Sequence, residues 1–105
     1  MLRGDVHGIT APRRRGHVQH GRRYAVVVQA DDLLALSTIV VCPTSVSTPP
    51  ASFHPEIVLG DERTRVMCEM VGAVDARVLG DQVAHLTVGE IRAIDEALEL
   101  VLDLS

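Results

Sequence analysis

The chain has no tryptophan, one tyrosine and one phenylalanine among 105 residues, and all ten of its basic residues are arginine, with no lysine. Without large aromatic rings the core has to be assembled from aliphatic side chains. No apolar run approaches membrane-spanning length, and Met1-Leu2-Arg3-Gly4-Asp5 does not open a signal peptide, so a cytoplasmic protein with no membrane partner is expected. Cysteine is also scarce. Cys42 and Cys68 lie far apart, form no small-domain disulfide framework and are expected as reduced core thiols. Two isolated cysteines make a poor metal site, so neither a metal nor another cofactor is expected.

What is present fits one small globular domain over 1–105. Hydrophobic residues make up 47% and charged residues 23%, which excludes a disordered tail. A domain of this size has little apolar surface to spare, and oligomerisation would help it. The formal net charge of −4 hides an asymmetry. Residues 1–30 carry Arg3, Arg13, Arg14, Arg15, Arg22 and Arg23 against Asp5 alone, whereas the stretch from Thr87 onward carries Glu90, Asp95, Glu96, Glu99 and Asp103 against Arg92. Arginine suits bidentate phosphate contact, although a GC-rich genome choosing arginine codons gives the same bias.

The chain is organised around 16–29, where the polar, basic GHVQHGRR runs into YAVVVQ. Val26, Val27 and Val28 are stiff at χ1 and predict a buried strand over 24–29, with Arg23 at its lip. Before it, 3–9 reads as an edge-like strand and 12–22 as a loop long enough to be functional. Ser37 to Cys42 reads as a further strand stopped by Pro43, which leaves Thr44 and Ser45 just beyond its end. Strands are expected over 53–59, 64–74 and 82–86, with one helical turn over 75–79. Thr87 and Glu90 form a capping-box signature, and Ile91, Ile94, Leu98, Val101 and Leu102 recur as one helical stripe. The expected fold is mainly β within the α+β class: a small SH3-like barrel of five to seven short strands with a C-terminal amphipathic helix.

Four segments, in order, resemble the MazF/PemK toxins of type II toxin–antitoxin modules. Arg3-Gly4-Asp5-Val6 is similar to the family's opening strand, and Gly16 to Arg23 to its G-[SH]-E-Q-x-G-x-R loop. Val40-Val41-Cys42-Pro43-Thr44-Ser45 resembles the family's V-x-P-[VCI]-T-[ST] strand end. Cys68-Glu69 with Val74-Asp75 resembles its [CA]-[DE]-Q-x-[RK]-[TS]-I segment. The chain departs from the pattern at His7, where an aromatic is usual, at Tyr24, where Pro is usual, at Val18, which replaces the loop acid, and at Met70-Val71-Gly72-Ala73.

The resemblance implies a metal-independent endoribonuclease that cuts single-stranded RNA at a short sequence. Attack by a 2′-hydroxyl on the adjacent phosphorus would leave a 2′,3′-cyclic phosphate and a 5′-hydroxyl, inhibiting translation and growth. Arg23 would grip the phosphate oxygens, or else form a surface ion pair with Glu69 or Asp75. Thr44, assisted by Ser45, would hydrogen-bond the scissile phosphate, or cap its own backbone. His17 matches the histidine of the Kid-like subgroup and could act as base or acid, in competition with His20. Glu69 could orient Arg23 or accept a proton, or pair across a strand with Arg65. Arg13, Arg14, Arg15, His20, Arg22 and Ser45 are the candidate RNA contacts, with Tyr24 and Phe53 as the only large stacking platforms. The resemblance also implies a homodimer and a cognate antitoxin. Two alternatives stay open: a degenerate homologue that binds RNA or antitoxin without cutting, and a CcdB-like gyrase poison on the same fold.

Overall fold

The computed structural model describes residues 1–9 and 23–104. In chain order the strands are β1 (Asp5–Ile9), β2 (Tyr24–Val27), β3 (Thr38–Ser45), β4 (Glu56–Leu59), β5 (Glu62–Val66), β6 (Gly72–Asp75) and β7 (Leu79–His85). One helix, α1 (Val88–Leu102), closes the chain. Every pairing is antiparallel. The sheet runs β4-β5-β3-β2-β1-β7, with β6 pairing β3 beside β5, and curls into a half-barrel under the helix. This is the mainly β architecture with a closing helix that the sequence predicts.

The central position of β2 explains its unbroken apolar run. Successive side chains alternate between the two faces of a strand, and both faces here are covered. Val26 packs with Val6, Cys42, Ile57, Val66 and Ile94 on the helix side. Ala25 and Val27 join Ile39 and Val41 on the other face. Both layers are aliphatic, as the lack of aromatics requires.

Pro43 does not stop β3, which continues through Thr44 and Ser45. The Val28 amide donates to the Val40 carbonyl at 3.1 Å, so residues 40, 42 and 44 direct their backbone polar groups toward β2, and residue 43 directs its own toward the opposite edge. There the Pro43 carbonyl accepts from the Met67 amide at 2.8 Å. The Met67 carbonyl, which would otherwise meet a residue-43 amide, accepts from Met70 at 3.0 Å. The proline therefore interrupts its neighbour and leaves its own strand intact. The strand expected over 64–74 is instead β5, a 3-10 turn at Cys68–Met70, and β6. Glu69 sits on that turn.

The Arg3-Gly4-Asp5 motif is a structural lock. The Arg3 guanidinium donates to the Val28 carbonyl at 2.9 Å and pairs with Asp95 of α1. Gly4 has φ +93°, and a Cβ there would lie 2.6 Å from Ile91 Cδ1. Asp5 is buried and accepts from the Leu2 amide and from His85 Nδ1, each at 2.7 Å.

At the start of α1 the Thr87 hydroxyl accepts from the Glu90 amide, and Glu90 Oε1 accepts from the Thr87 amide at 3.0 Å. The other oxygen, Oε2, accepts from the Val58 amide at 2.9 Å and so seals the open edge of β4 against the helix. The predicted stripe packs as expected through Ile91, Ile94, Leu98 and Val101, with Ala97 buried beside them, but Leu102 is exposed.

Candidate functional site

The sheet brings the start of β2 and the end of β3 side by side. Ala25 pairs with Pro43, and one further step in each direction sets Tyr24 opposite Thr44 and Arg23 opposite Ser45. The Arg23 carbonyl also accepts from Ile9 at 2.9 Å, which ties that end to β1. On the far side of β3, Thr44 pairs with Val66 and Ser45 with Arg65, and Arg65 in turn pairs with Glu56 of β4. Residues directly opposite one another share a face. Ser45 and Arg65 therefore form a row ending at Glu56, whose carboxylate lies 3.7 Å from Arg65, and the register carried past the start of β2 brings Arg23 to the other end of that row.

Thr44 belongs to the adjacent row and to the helix-side face. It is 6% exposed, and its hydroxyl donates to the Tyr24 carbonyl over 3.4 Å, a long and weak contact. Ser45 is half-buried, with its hydroxyl 3.1 Å from that of Ser47. The pair is thus divided, with Ser45 on the arginine side of the sheet and Thr44 on the helix side.

Glu69 pairs with neither Arg23 nor Arg65. Its Oε2 is 2.7 Å from Nε2 of His54, a residue that is 6% exposed and that sequence reasoning overlooked. His54 Nδ1 lies 2.8 Å from the Pro49 carbonyl. A carbonyl can only accept, so Nδ1 donates to Pro49, and with a carboxylate at Nε2 the surroundings favour the imidazolium form. The Glu69 hydrogen bond raises the pKa of His54, burial opposes that rise, and the Pro49 carbonyl adds to it. The His54 carbonyl accepts from Arg65 at 2.8 Å, so the same residue positions a member of the arginine row. His54 lies in a Ser/Thr/Pro-rich segment with no apolar period. The one signal available was an imidazole placed between Phe53 and Pro55 in an otherwise uncharged stretch.

The two rings expected as stacking platforms are engaged within the fold. Tyr24 packs against the helix-side core, and Phe53 meets the His54 ring edge-on at a centroid distance of 4.4 Å. Asp75, offered as a possible partner for Arg23, is bound by Arg77 at 2.8 Å, and that hydrogen bond holds its pKa at about 2. Arg13, Arg14, Arg15, His17, His20 and Arg22 lie outside the described residues. Among the described residues no cluster of three metal-ligating side chains occurs, and no helix is long and apolar enough to cross a membrane.

Residues 2–102 match the family model described as PemK-like, MazF-like toxin of type II toxin-antitoxin system. A curated relative from Mycobacterium tuberculosis, "Putative toxin Rv3098A/RVBD_3098A", is 33% identical over 106 residues and is covered, like this chain, to 99%. Among solved structures, the MazE-MazF complex (Form-II) of Deinococcus radiodurans superposes with a TM-score of 0.82 at 20% identity, covering 100% of this chain and 97% of that one. A mycobacterial endoribonuclease in complex with its cognate antitoxin gives 0.81 at 18% identity, with the same coverages of 100% and 97%.

Proposed function

Since the chain belongs to the PemK/MazF-like toxins of type II toxin–antitoxin systems, we propose that it is an endoribonuclease, held inactive by a cognate antitoxin, that cuts single-stranded RNA without a metal. The observation that carries this reading is the gathering of Arg23, Ser45 and Arg65 on one side of the sheet where the start of β2 meets the end of β3. The folds of solved endoribonucleases and of antitoxin complexes support it.

In this reading the guanidinium of Arg23, at the lip of a rigid central strand, grips the non-bridging phosphate oxygens. It stabilises the charge that builds as a 2′-hydroxyl attacks the adjacent phosphorus. Ser45 and Arg65 extend that donor row along the strand of RNA. The Thr44 hydroxyl, on the helix side of the same strand end, is the second proposed phosphate contact, reached by giving up its weak bond to the Tyr24 carbonyl. Glu69, 2.7 Å from His54, is proposed to orient the site or accept a proton. His17 is the proposed acid or base, and Arg13, Arg14, Arg15, His20 and Arg22 are the proposed RNA contacts flanking it. The products are a 2′,3′-cyclic phosphate and a 5′-hydroxyl. The working form is a cytoplasmic homodimer of a single-domain chain.

The test is to incubate the purified protein with a long RNA in EDTA and map the ends. Discrete cuts bearing cyclic phosphate, abolished in Arg23→Ala and Thr44→Ala, are the expected result. Uncut RNA alongside inhibited DNA gyrase would replace this reading with a gyrase poison, and uncut RNA with antitoxin binding alone would make the chain a non-catalytic homologue.

A further inference from the structure

Cys42 and Cys68 are separated by β4 and β5 in the chain and brought together by the sheet. Thr44 pairs with Val66, and the Met67 amide donates to the Pro43 carbonyl. The next step of that register sets Cys42 of β3 opposite Cys68, the first residue of the 3-10 turn. Since Met67 is hydrogen-bonded to Pro43, Cys68 leaves the sheet for its turn directly beside Cys42, and a disulfide asks only that two such neighbours come within about 4.4–6.8 Å between Cα atoms. Both side chains are free thiols, fully buried in the same helix-side core cluster.

We propose that Cys42 and Cys68 are a reversible dithiol, oxidised by a peroxide to an intrachain disulfide that staples the strand bearing Thr44 to the turn bearing Glu69.

The thiol pair is already polarised for this. The neighbouring Cys42 thiol favours the thiolate on Cys68, against burial and the nearby Glu69 charge and with help from His54. Cys68 also lies on the turn whose next residues, Glu69 and Met70, face solvent, whereas Cys42 lies within β3, so Cys68 is the attacking sulfur and Cys42 the resolving one. The Cys68 thiolate attacks one peroxide oxygen, the O–O bond breaks, and the departing oxygen leaves as water after taking a proton. Cys68 is then a sulfenic acid. The Cys42 sulfur attacks it, the S–O bond breaks, and a second water carries off the hydroxyl with the Cys42 proton. Two electrons pass from the two thiols to the peroxide. Access requires only that the single 3-10 turn opens, since Glu69 and Met70 beside Cys68 already face solvent.

The test uses the full chain, reduced, desalted, exposed to hydrogen peroxide and then alkylated in denaturant. The expected result is a mass lower by two hydrogens, no alkylation, a tryptic cross-link joining 42 to 68, and full reversal by dithiothreitol. In Cys42→Ala, Cys68 should instead accumulate as a sulfenic acid that dimedone captures. Thiols that stay alkylatable at peroxide levels that oxidise free cysteine would overturn the proposal. So would separate oxygen adducts on each cysteine of the wild type, or disulfides that form only between chains. Because no readout involves RNA, the outcome is independent of the ribonuclease reading.

Discussion

Gly4 and His54 show how much a single position can carry. At Gly4 a side chain would meet both a left-handed backbone, with φ +93°, and the Ile91 methyl at 2.6 Å. Gly4→Ala is expected to cost about 3 kcal/mol, read as a lower midpoint in urea. His54 makes stability depend on pH with a definite sign. Its folded pKa is raised above the ordinary 6.5 by Glu69, so its stabilisation is complete below 6.5 and is lost as pH rises through the raised value. Unfolding free energies measured across that window should fall in the wild type and stay flatter in His54→Gln; parallel curves would refute the imidazolium assignment. Asp5 acts at the other end. Burial pushes its carboxyl up, but hydrogen bonds from His85 and the Leu2 amide outweigh that and hold it below 3.8. Its contribution is present above 3.8 and disappears as pH falls through the lowered value, so Asp5→Asn should lessen acid sensitivity at the expense of stability near neutrality. At Arg23 the planar fork matters as well as the charge, so Arg23→Lys should lower RNA cleavage by about 100-fold while leaving the unfolding curve unchanged.

Among the elements, α1 and β3 behave in opposite ways. The helix was legible because its signals are local: Thr87 and Glu90 cap one turn, and the apolar stripe repeats within the segment. Its sequence did not disclose that the second Glu90 oxygen reaches the Val58 amide on β4. Glu90→Ala should therefore cost about 1–2 kcal/mol, more than a lost cap box partner alone, and should speed hydrogen exchange at Val58 selectively. Equal protection of Val58 in the variant would show that the edge is sealed by something else. For β3 the local signal misled. A proline ends a strand only if its missing amide is needed, and here the carbonyl it would have met is taken by Met70. That same substitution of partners converts an expected strand into β5, a turn and β6, and moves Glu69 from a ladder position to the side of His54.

The molecule as a whole is acidic by formal count, yet six of its ten arginines lie within residues 1–30, and Arg23 is one of them. In the proposed ribonuclease reading, binding of single-stranded RNA to Thr44→Ala should therefore weaken steeply with salt, and Arg13→Ala should reduce the slope of log affinity against log salt by about 1. An unchanged slope would place Arg13 off the RNA path. What could be read from the linear chain is what depends on neighbours within a few residues: the β-branched run of β2, the capped helix, the aliphatic character of the core and the order of the family motifs. Tertiary structure alone decided which strand lies at each edge, and with it which backbone groups need partners, which face Thr44 and Ser45 each take, and which base-bearing side chain meets Glu69. Hydrogen bonds across a sheet join residues tens of positions apart, and no local pattern encodes which of those distant groups will be free to accept.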